Sequence, residues 1–194
     1  MVIRPYRLIA DKFGLIYYTT PKAACTSIRK TLGVHGQSND RGRNLDEIAH
    51  YLSFTAVRNP WDRIVSLYSD FVHIRGTGTH VSKLKRLCNN LDVGLDVSWP
   101  EFVRAIGEST EDSNIHYRSQ YLLHPVEPVD LLIRFENLLA GWDRLRVLRP
   151  GLPELRHNNK TGHDPFEAYY TVGQAEVIAE RYGTDIAKYG YVSP

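Results

Sequence analysis

Near the N-terminus, the hydrophobic positions form two short apolar runs on either side of a turn sequence at residues 11–14, which predicts a β-hairpin. The second run ends at Tyr18, and a short loop then leads into a segment with helical character. Thr26 or Ser27 is the expected cap at the start of this helix, and Gly33 is the expected stop. The pattern therefore predicts a strand, a tight loop and a helix in close succession.

Two further pairs of strand and helix follow along the chain. Residues 52–57 (LSFTAV) predict a short β-strand, and Asn59 with Pro60 then form a strong helix start. The apolar side chains of this helix fall on one face at helical spacing, whereas Ser66 falls on the opposite, polar face. Residues 129–135 (VDLLIRF) predict another buried strand, which is again followed by a helix.

Capping boxes at residues 98–101 and 171–174 predict two more helices. Alternating strands and helices are typical of the α/β class, with a central, mainly parallel sheet flanked by helices and here a short N-terminal hairpin. Ligands bind such sheets at the carboxyl ends of the strands, and the loops at 21–27 and Arg58 are predicted to emerge there. The length of 194 residues and the hydrophobic fraction of 42% predict a single domain over residues 1–194.

The formal net charge of +2 is too small for a nonspecific nucleic-acid binder, so no nucleic-acid partner is expected. Cys25 and Cys88 have no metal-ligand spacing, which predicts no metal site and leaves a single disulfide between them open. The N-terminal residues carry charges and lack an apolar stretch of signal-peptide or membrane-span length. The sequence as written therefore predicts a soluble, cytoplasmic protein without a membrane segment, or a Golgi-lumenal one if the chain is a trimmed eukaryotic catalytic domain.

The loop after the second apolar run has the composition of an anion site. A helix start offers unpaired backbone N–H groups and the positive end of the helix dipole. Ala23 and Ala24 are small enough for a phosphate to approach the backbone, Thr26 and Ser27 add hydroxyl groups, and Lys22 adds a positive charge. The usual nucleoside-triphosphate loop places its lysine after a run of glycines. Here the lysine comes first and the glycines are absent.

The end of the next predicted strand carries a second cation. In magnesium-dependent phosphoryl transferases of this architecture, an acidic residue near that strand holds the metal. This chain has Arg58 there, which suits another anionic group on the ligand and argues against a bound metal. Ser66, in the following helix, is placed to donate to the same anion. Two anion sites in this order fit a nucleotide with phosphates at both ends of its ribose.

These residues resemble the motifs of a known family. The stretch TTPKAACTSIRKTL resembles the 5′-phosphosulfate loop of the sulfotransferases that use 3′-phosphoadenosine 5′-phosphosulfate (PAPS), and FTAVRNPWDRIVSLYSDF resembles their 3′-phosphate motif. The resemblance is strongest to the carbohydrate sulfotransferases of the chondroitin 4-O-sulfotransferase group. It implies a sulfotransferase version of the P-loop fold, PAPS as the sulfuryl donor, PAP (3′-phosphoadenosine 5′-phosphate) as the product, and a hydroxyl acceptor, expected to be a carbohydrate.

The resemblance also implies roles for individual residues. Lys22 would contact the oxygen that bridges phosphate and sulfuryl group, and Arg58 with Ser66 would contact the 3′-phosphate. His116, in a His-aromatic-x-x-Gln segment, is the first choice for the general base, with His73 and His80 as rivals. The predicted catalytic residues are Lys22 and His116, and the predicted donor-binding residues are Pro21, Lys22, Ala23, Ala24, Cys25, Thr26, Ser27, Arg58 and Ser66.

Two other functions stay open at this point. A small nucleotide kinase would require magnesium, and the sequence opposes it because both the glycine-rich loop and the acidic strand end are absent. A noncatalytic module that binds a nucleotide or a glycan would keep the fold and the anion sites without transferring anything.

Overall fold

The computed structural model describes residues 6–34, 44, 46–77, 81–110, 114–125, 127–155 and 164–194, with the backbone alone at 71–76, 81 and 83. The chain divides into two compact units. The first comprises Met1–Arg58 and Gln120–Lys160, and the second comprises Asn59–Ser119 and Thr161–Pro194. The single domain over the whole chain stays a prediction.

The first unit contains a four-stranded sheet whose strands lie side by side in chain order. Strand β1 (Arg7–Ala10) pairs antiparallel with β2 (Leu15–Tyr18), while β2, β3 (Leu52–Val57) and β4 (Leu131–Arg134) run parallel to one another. The predicted hairpin and the mainly parallel sheet are therefore confirmed.

Seven α-helices fall within the described residues, and those at Cys25–Leu32 and Leu138–Leu148 belong to the first unit. Among these residues, no helix is both long enough and apolar enough to cross a membrane. The helices are α1 (Cys25–Leu32), α2 (Pro60–Thr77), α3 (Val81–Leu91), α4 (Trp99–Glu108), α5 (Leu138–Leu148), α6 (Val172–Arg181) and α7 (Gly183–Tyr189).

One face of the sheet forms the main core of the first unit. The ring of Tyr17 on β2 stacks on that of Phe54 on β3 with centroids 4.9 Å apart, and Trp142 of α5 meets Phe54 edge-on at 6.1 Å. Ile28 of α1 is fully buried in the same cluster. The side chains of successive strand residues point to opposite faces, so Ile16 belongs to a smaller cluster on the other face.

Strand β4 differs from the prediction of a buried strand. Leu131 and Ile133 are buried, whereas Leu132 is 39% exposed, so only one face of the strand packs on the core. The start of β4 is attached to β3 by Asp130, whose carboxylate accepts hydrogen bonds from the backbone N–H and the hydroxyl of Ser53, both at 2.7 Å. Because these bonds stabilise the charged form, they lower the pKa of Asp130.

The start of α1 also differs from the prediction, because neither Thr26 nor Ser27 is its cap. The helix begins at Cys25, and its N-cap is Ala24 with a left-handed φ of 59°. The chain turns into the helix before it reaches the two hydroxyl residues, which therefore lie in the first turn. Gly33, with φ 69°, ends the helix as expected.

In the second unit, the predicted helix starts are confirmed. The Asn59 side-chain oxygen accepts a hydrogen bond from the N–H of Trp61 at 3.0 Å, and α2 begins at Pro60. Capping boxes begin α4 and α6 at the predicted residues. The predicted polar face of α2 is wrong at Ser66, which is 1% exposed, whereas Asp62, Ser69 and Asp70 are half-buried. Arg63, for which the sequence predicts no role, is fully buried. Helices α3 and α6 contact α2, and the hydrophobic pattern of α2 alone did not show that Ser66 is buried.

Candidate functional site

The carboxyl ends of β2, β3 and β4 lie at the same edge of the sheet. Tyr18 pairs with Thr55, and Val57 pairs with Arg134, so the segments after the parallel strands all leave from that edge. Among them are the loop of residues 19–24, called the Lys22 loop below, and Arg58. The prediction that both emerge at the carboxyl edge is confirmed.

The Lys22 loop is a compact turn with an unusual backbone. The N–H of Thr19 extends the hairpin by donating to the Tyr6 carbonyl at 2.8 Å, and the N–H of Ala23 closes a turn onto the Thr20 carbonyl at 3.2 Å. Lys22 and Ala24 are both left-handed, with φ of 71° and 59°. For residues other than glycine this conformation costs about 1–2 kcal/mol each, so surrounding contacts must hold the loop in place.

The loop leads directly into the N-terminus of α1. The first acceptor in this helix is the carbonyl of Ala24, which accepts from the N–H of Ile28 at 3.0 Å. The N–H groups of the first turn, from Cys25 to Ser27, precede this bond and have no acceptor within the helix. Together with the helix dipole, they make the end of the loop suitable for a negatively charged group.

Arg58 reaches this loop from the end of β3. Its guanidinium is nearly buried, with the whole residue 5% exposed, and lies over the ring of Phe135 at 4.2 Å from the centroid. One guanidinium N–H donates to the carbonyl of Lys22 at 3.0 Å. The structure therefore brings the two predicted cationic residues of the first unit together, and it joins them through the backbone of the lysine.

A side-chain amide fixes the backbone of Arg58. The N–H of Arg58 donates to the side-chain oxygen of Gln120, and the side-chain NH₂ of Gln120 donates to the carbonyl of Arg58, both at 2.9 Å. Gln120 is fully buried. This pair of bonds replaces the backbone pairing that a neighbouring strand would provide beyond the end of β3.

A buried histidine contacts the first part of the loop. The Nε2 atom of His124 lies 2.8 Å from the Thr20 hydroxyl and 2.9 Å from the Thr55 hydroxyl. Thr55 also donates to the carbonyl of Tyr18 at 2.8 Å. His124 is 8% exposed, and both threonines are at most 1% exposed. The histidine therefore connects the Lys22 loop with β3 inside the protein.

Tyr17 lies beneath the loop as a neutral phenol. Its side chain is fully buried, and burial followed by the nearby Cys25 raises its pKa well above the ordinary value of 10.0. A hydroxyl with such a pKa stays protonated at neutral pH, so Tyr17 is unsuited to act as a base. Neither Cys25 nor Cys88 forms a disulfide, which answers the question that the sequence left open.

The other two predicted site residues, Ser66 and His116, belong to the second unit. The N–H of His116 donates to the side chain of Asn114 at 3.0 Å. The buried Arg63 donates to the carbonyls of His116 and Arg118, at 3.1 and 2.8 Å. The turn that carries His116 is thus fixed by a buried cation. The rival His80 and the side chain of His73 lie outside the described residues.

Sequence reasoning missed several residues that shape the site. In the sequence, Gln120 stands out only as the last residue of the motif that contains His116. His124 is one of eight histidines, and nothing in its local sequence distinguishes it. Phe135 was included only in a predicted strand, and Arg63 was assigned no role. Within the described residues, no group of three or more histidine, cysteine or acidic side chains is arranged to hold a metal ion.

The conformation of Ala24 can be tested with glycine. Ala24→Gly should leave the free energy of unfolding unchanged or raise it by up to about 1 kcal/mol, because glycine adopts positive φ without a steric penalty. Ala23 is the matched control, since it is fully buried and does not have a positive φ. Ala23→Gly should lose about 1–2 kcal/mol, from a buried methyl group and greater chain entropy. Denaturant unfolding measures both variants, and equal losses would contradict the left-handed assignment.

A family model described as the sulfotransferase family matches residues 6–191. No curated protein and no solved structure matches the chain. The family match includes both strand ends, the Lys22 loop, Arg58 and the segment with Gln120 and His124, and it covers nearly the whole sequence. The chain therefore belongs to the sulfotransferase family.

Proposed function

We propose that this sulfotransferase transfers the sulfuryl group of PAPS to a hydroxyl group, with a carbohydrate as the acceptor. The observation that supports the proposal is the hydrogen bond from the Arg58 guanidinium to the Lys22 carbonyl, at the carboxyl edge of the sheet. One cation follows β2 and precedes a helix N-terminus, and the other follows the neighbouring parallel strand. A nucleotide with a phosphosulfate at one end and a 3′-phosphate at the other provides an anion for each of them.

In the proposed reaction, an oxygen of the acceptor attacks sulfur and the bond from sulfur to the bridging oxygen breaks. The bridging oxygen leaves with PAP and gains negative charge as the bond lengthens. The ammonium group of Lys22 stabilises that charge more in the transition state than in the ground state, which accelerates the transfer. The N–H groups at the start of α1 bind the 5′-phosphate. The products are the sulfate ester, PAP and one proton.

Arg58 would bind the 3′-phosphate and also support the loop. A guanidinium carries five N–H donors, so its hydrogen bond to the Lys22 carbonyl is compatible with a second bond to a phosphate. The ring of Phe135 below the guanidinium keeps the cation in a fixed plane. In this proposal Ser66 assists at the 3′-phosphate and His116 accepts the proton of the acceptor hydroxyl, a contribution of about 10²–10⁴-fold in such reactions.

The proposal is tested first by calorimetric titration with PAP in buffer containing EDTA. PAP should bind without magnesium, and AMP, which lacks the 3′-phosphate, should bind about tenfold or more weakly. Polysaccharides and small hydroxyl compounds are then screened with PAPS labelled in its sulfuryl group, and transfer of label to a carbohydrate is expected. Magnesium-dependent phosphoryl transfer from ATP would favour a kinase instead. PAP binding without transfer to any acceptor would favour the noncatalytic module.

A further inference from the structure

We propose that Gln120 and His124 are positioning residues that hold the Lys22 loop in its donor-binding conformation. Both residues belong to one short segment, the 3-10 helix Gln120–Leu123 and the residue that follows it. This inference rests on the proposed function, because it concerns the loop that would bind PAPS. Neither residue is proposed to touch the donor.

His124 holds the start of the loop from the segment that also carries Gln120. The Thr55 hydroxyl hydrogen is donated to the Tyr18 carbonyl, so toward His124 the oxygen of Thr55 can only accept. For both threonine contacts to be hydrogen bonds, Nε2 must carry a hydrogen that the two hydroxyls share. His124 thus contacts Thr55, which belongs to β3, and Thr20, which is the first fully buried residue of the loop.

The position of Thr20 determines that of the turn after it. Its carbonyl accepts from the N–H of Ala23, so Thr20 forms one end of the turn that contains Lys22. A displacement of Thr20 would therefore also displace the backbone of Lys22. His124 therefore acts on Lys22 through Thr20.

Gln120 acts on the same lysine from the other direction. Its two hydrogen bonds fix both polar backbone groups of Arg58, and the guanidinium of Arg58 donates to the Lys22 carbonyl. Two contact pathways thus converge on Lys22, one through its carbonyl and one through Thr20. Their presence accounts for a loop that keeps two left-handed residues without glycine. A catalytic cation must be held within roughly 0.5 Å of its productive position, which such supporting contacts provide.

Thr20→Val and Thr55→Val form a matched pair for the test. Thr20→Val removes a buried hydroxyl that lies in the loop. Thr55→Val removes a buried hydroxyl of β3 that bonds both the histidine and the Tyr18 carbonyl, and it leaves the contact between His124 and Thr20 in place. Thr20→Val should raise the Kd for PAP about tenfold or more, whereas Thr55→Val should lower the thermal stability and change Kd by less than about threefold. Thr20→Ser keeps a hydroxyl and should restore binding to near the level of the unmodified protein.

His124→Leu completes the experiment. It should weaken PAP binding about as much as Thr20→Val does. The variant that combines the two substitutions should bind PAP no more weakly than either single variant, because both substitutions remove the same contact. The positioning role is wrong if the unmodified protein binds PAP but Thr20→Val and Thr55→Val change the Kd for PAP equally. It is also wrong if His124→Leu changes only the thermal stability.

A second measurement separates this inference from the proposed function. Amide hydrogen exchange at Lys22, Ala23 and Ala24 in the ligand-free protein should be accelerated by Thr20→Val and His124→Leu, but not by Thr55→Val. If the unmodified protein does not bind PAP, the proposed donor is wrong, and the exchange data still decide whether the histidine holds the loop. Equal exchange in the three variants would overturn the positioning role.

Discussion

Lys22→Ala is expected to lower kcat for sulfuryl transfer by about 10²–10³-fold, the loss typical of removing one group that stabilises transition-state charge. The substitution keeps a Cβ atom at a position with φ of 71°, so the backbone strain of the loop stays the same. Folding should therefore be little affected, and PAP, which lacks the sulfuryl group, should still bind. Single-turnover transfer from labelled PAPS measures the effect directly.

Lys30→Ala is the control for Lys22→Ala. Lys30 is exposed in the last turn of α1, so its removal changes the net charge equally without affecting the loop. It should leave transfer within about twofold of the unmodified protein, as expected for an exposed substitution away from the site. A Lys22→Ala enzyme with nearly unchanged kcat would show that the lysine does not stabilise the leaving group.

Arg58→Ala is expected to raise the Kd for PAP by about 10- to 100-fold, in line with the loss of a charge-assisted hydrogen bond. It should also lower the melting temperature, because it removes a nearly buried side chain from the ring of Phe135 and from the Lys22 carbonyl. Arg58→Lys should restore little of either property, since an ammonium group has neither the planar stacking surface nor the forked donors of a guanidinium. Calorimetric titration and thermal unfolding measure the two effects.

Arg144→Ala provides the comparison for charge alone. Arg144 is exposed on α5, so its loss removes one positive charge from the first unit without changing the loop. Its Kd for PAP should stay within about twofold of the unmodified protein. If Arg144→Ala weakened PAP as much as Arg58→Ala did, a general effect of charge would replace the specific role of Arg58.

Local signals in the sequence accounted for much of the architecture. β3 was predicted at its observed bounds, and α2 began where Asn59 and Pro60 indicated. These features depend on residues close together in the chain, namely β-rich composition and capping side chains. The prediction failed at the start of α1, where the local preference of Thr26 and Ser27 for a cap was overridden by the left-handed conformation of Ala24.

The contacts that hold the site could not be predicted in this way. His124 is separated from Thr20 by 104 positions, and Gln120 from Arg58 by 62. Neither pairing has a periodic or local signal, because the partners meet only once the parallel strands have aligned. The burial of Arg63 and Ser66 was missed for a related reason, since the pattern of one helix does not show how many neighbours surround it.

The sequence by itself thus determined the positions of the four strands, the starts of α2, α4 and α6, the order of the two cationic residues along the chain and the family to which the chain belongs. Only the tertiary structure decided that Lys22 has a left-handed backbone, that Arg58 contacts its carbonyl, and that a buried histidine contacts the loop at Thr20. The physical reason is the range of the interactions. Capping and strand propensity act over a few residues, whereas a strained loop is stabilised by groups that folding brings from distant parts of the chain.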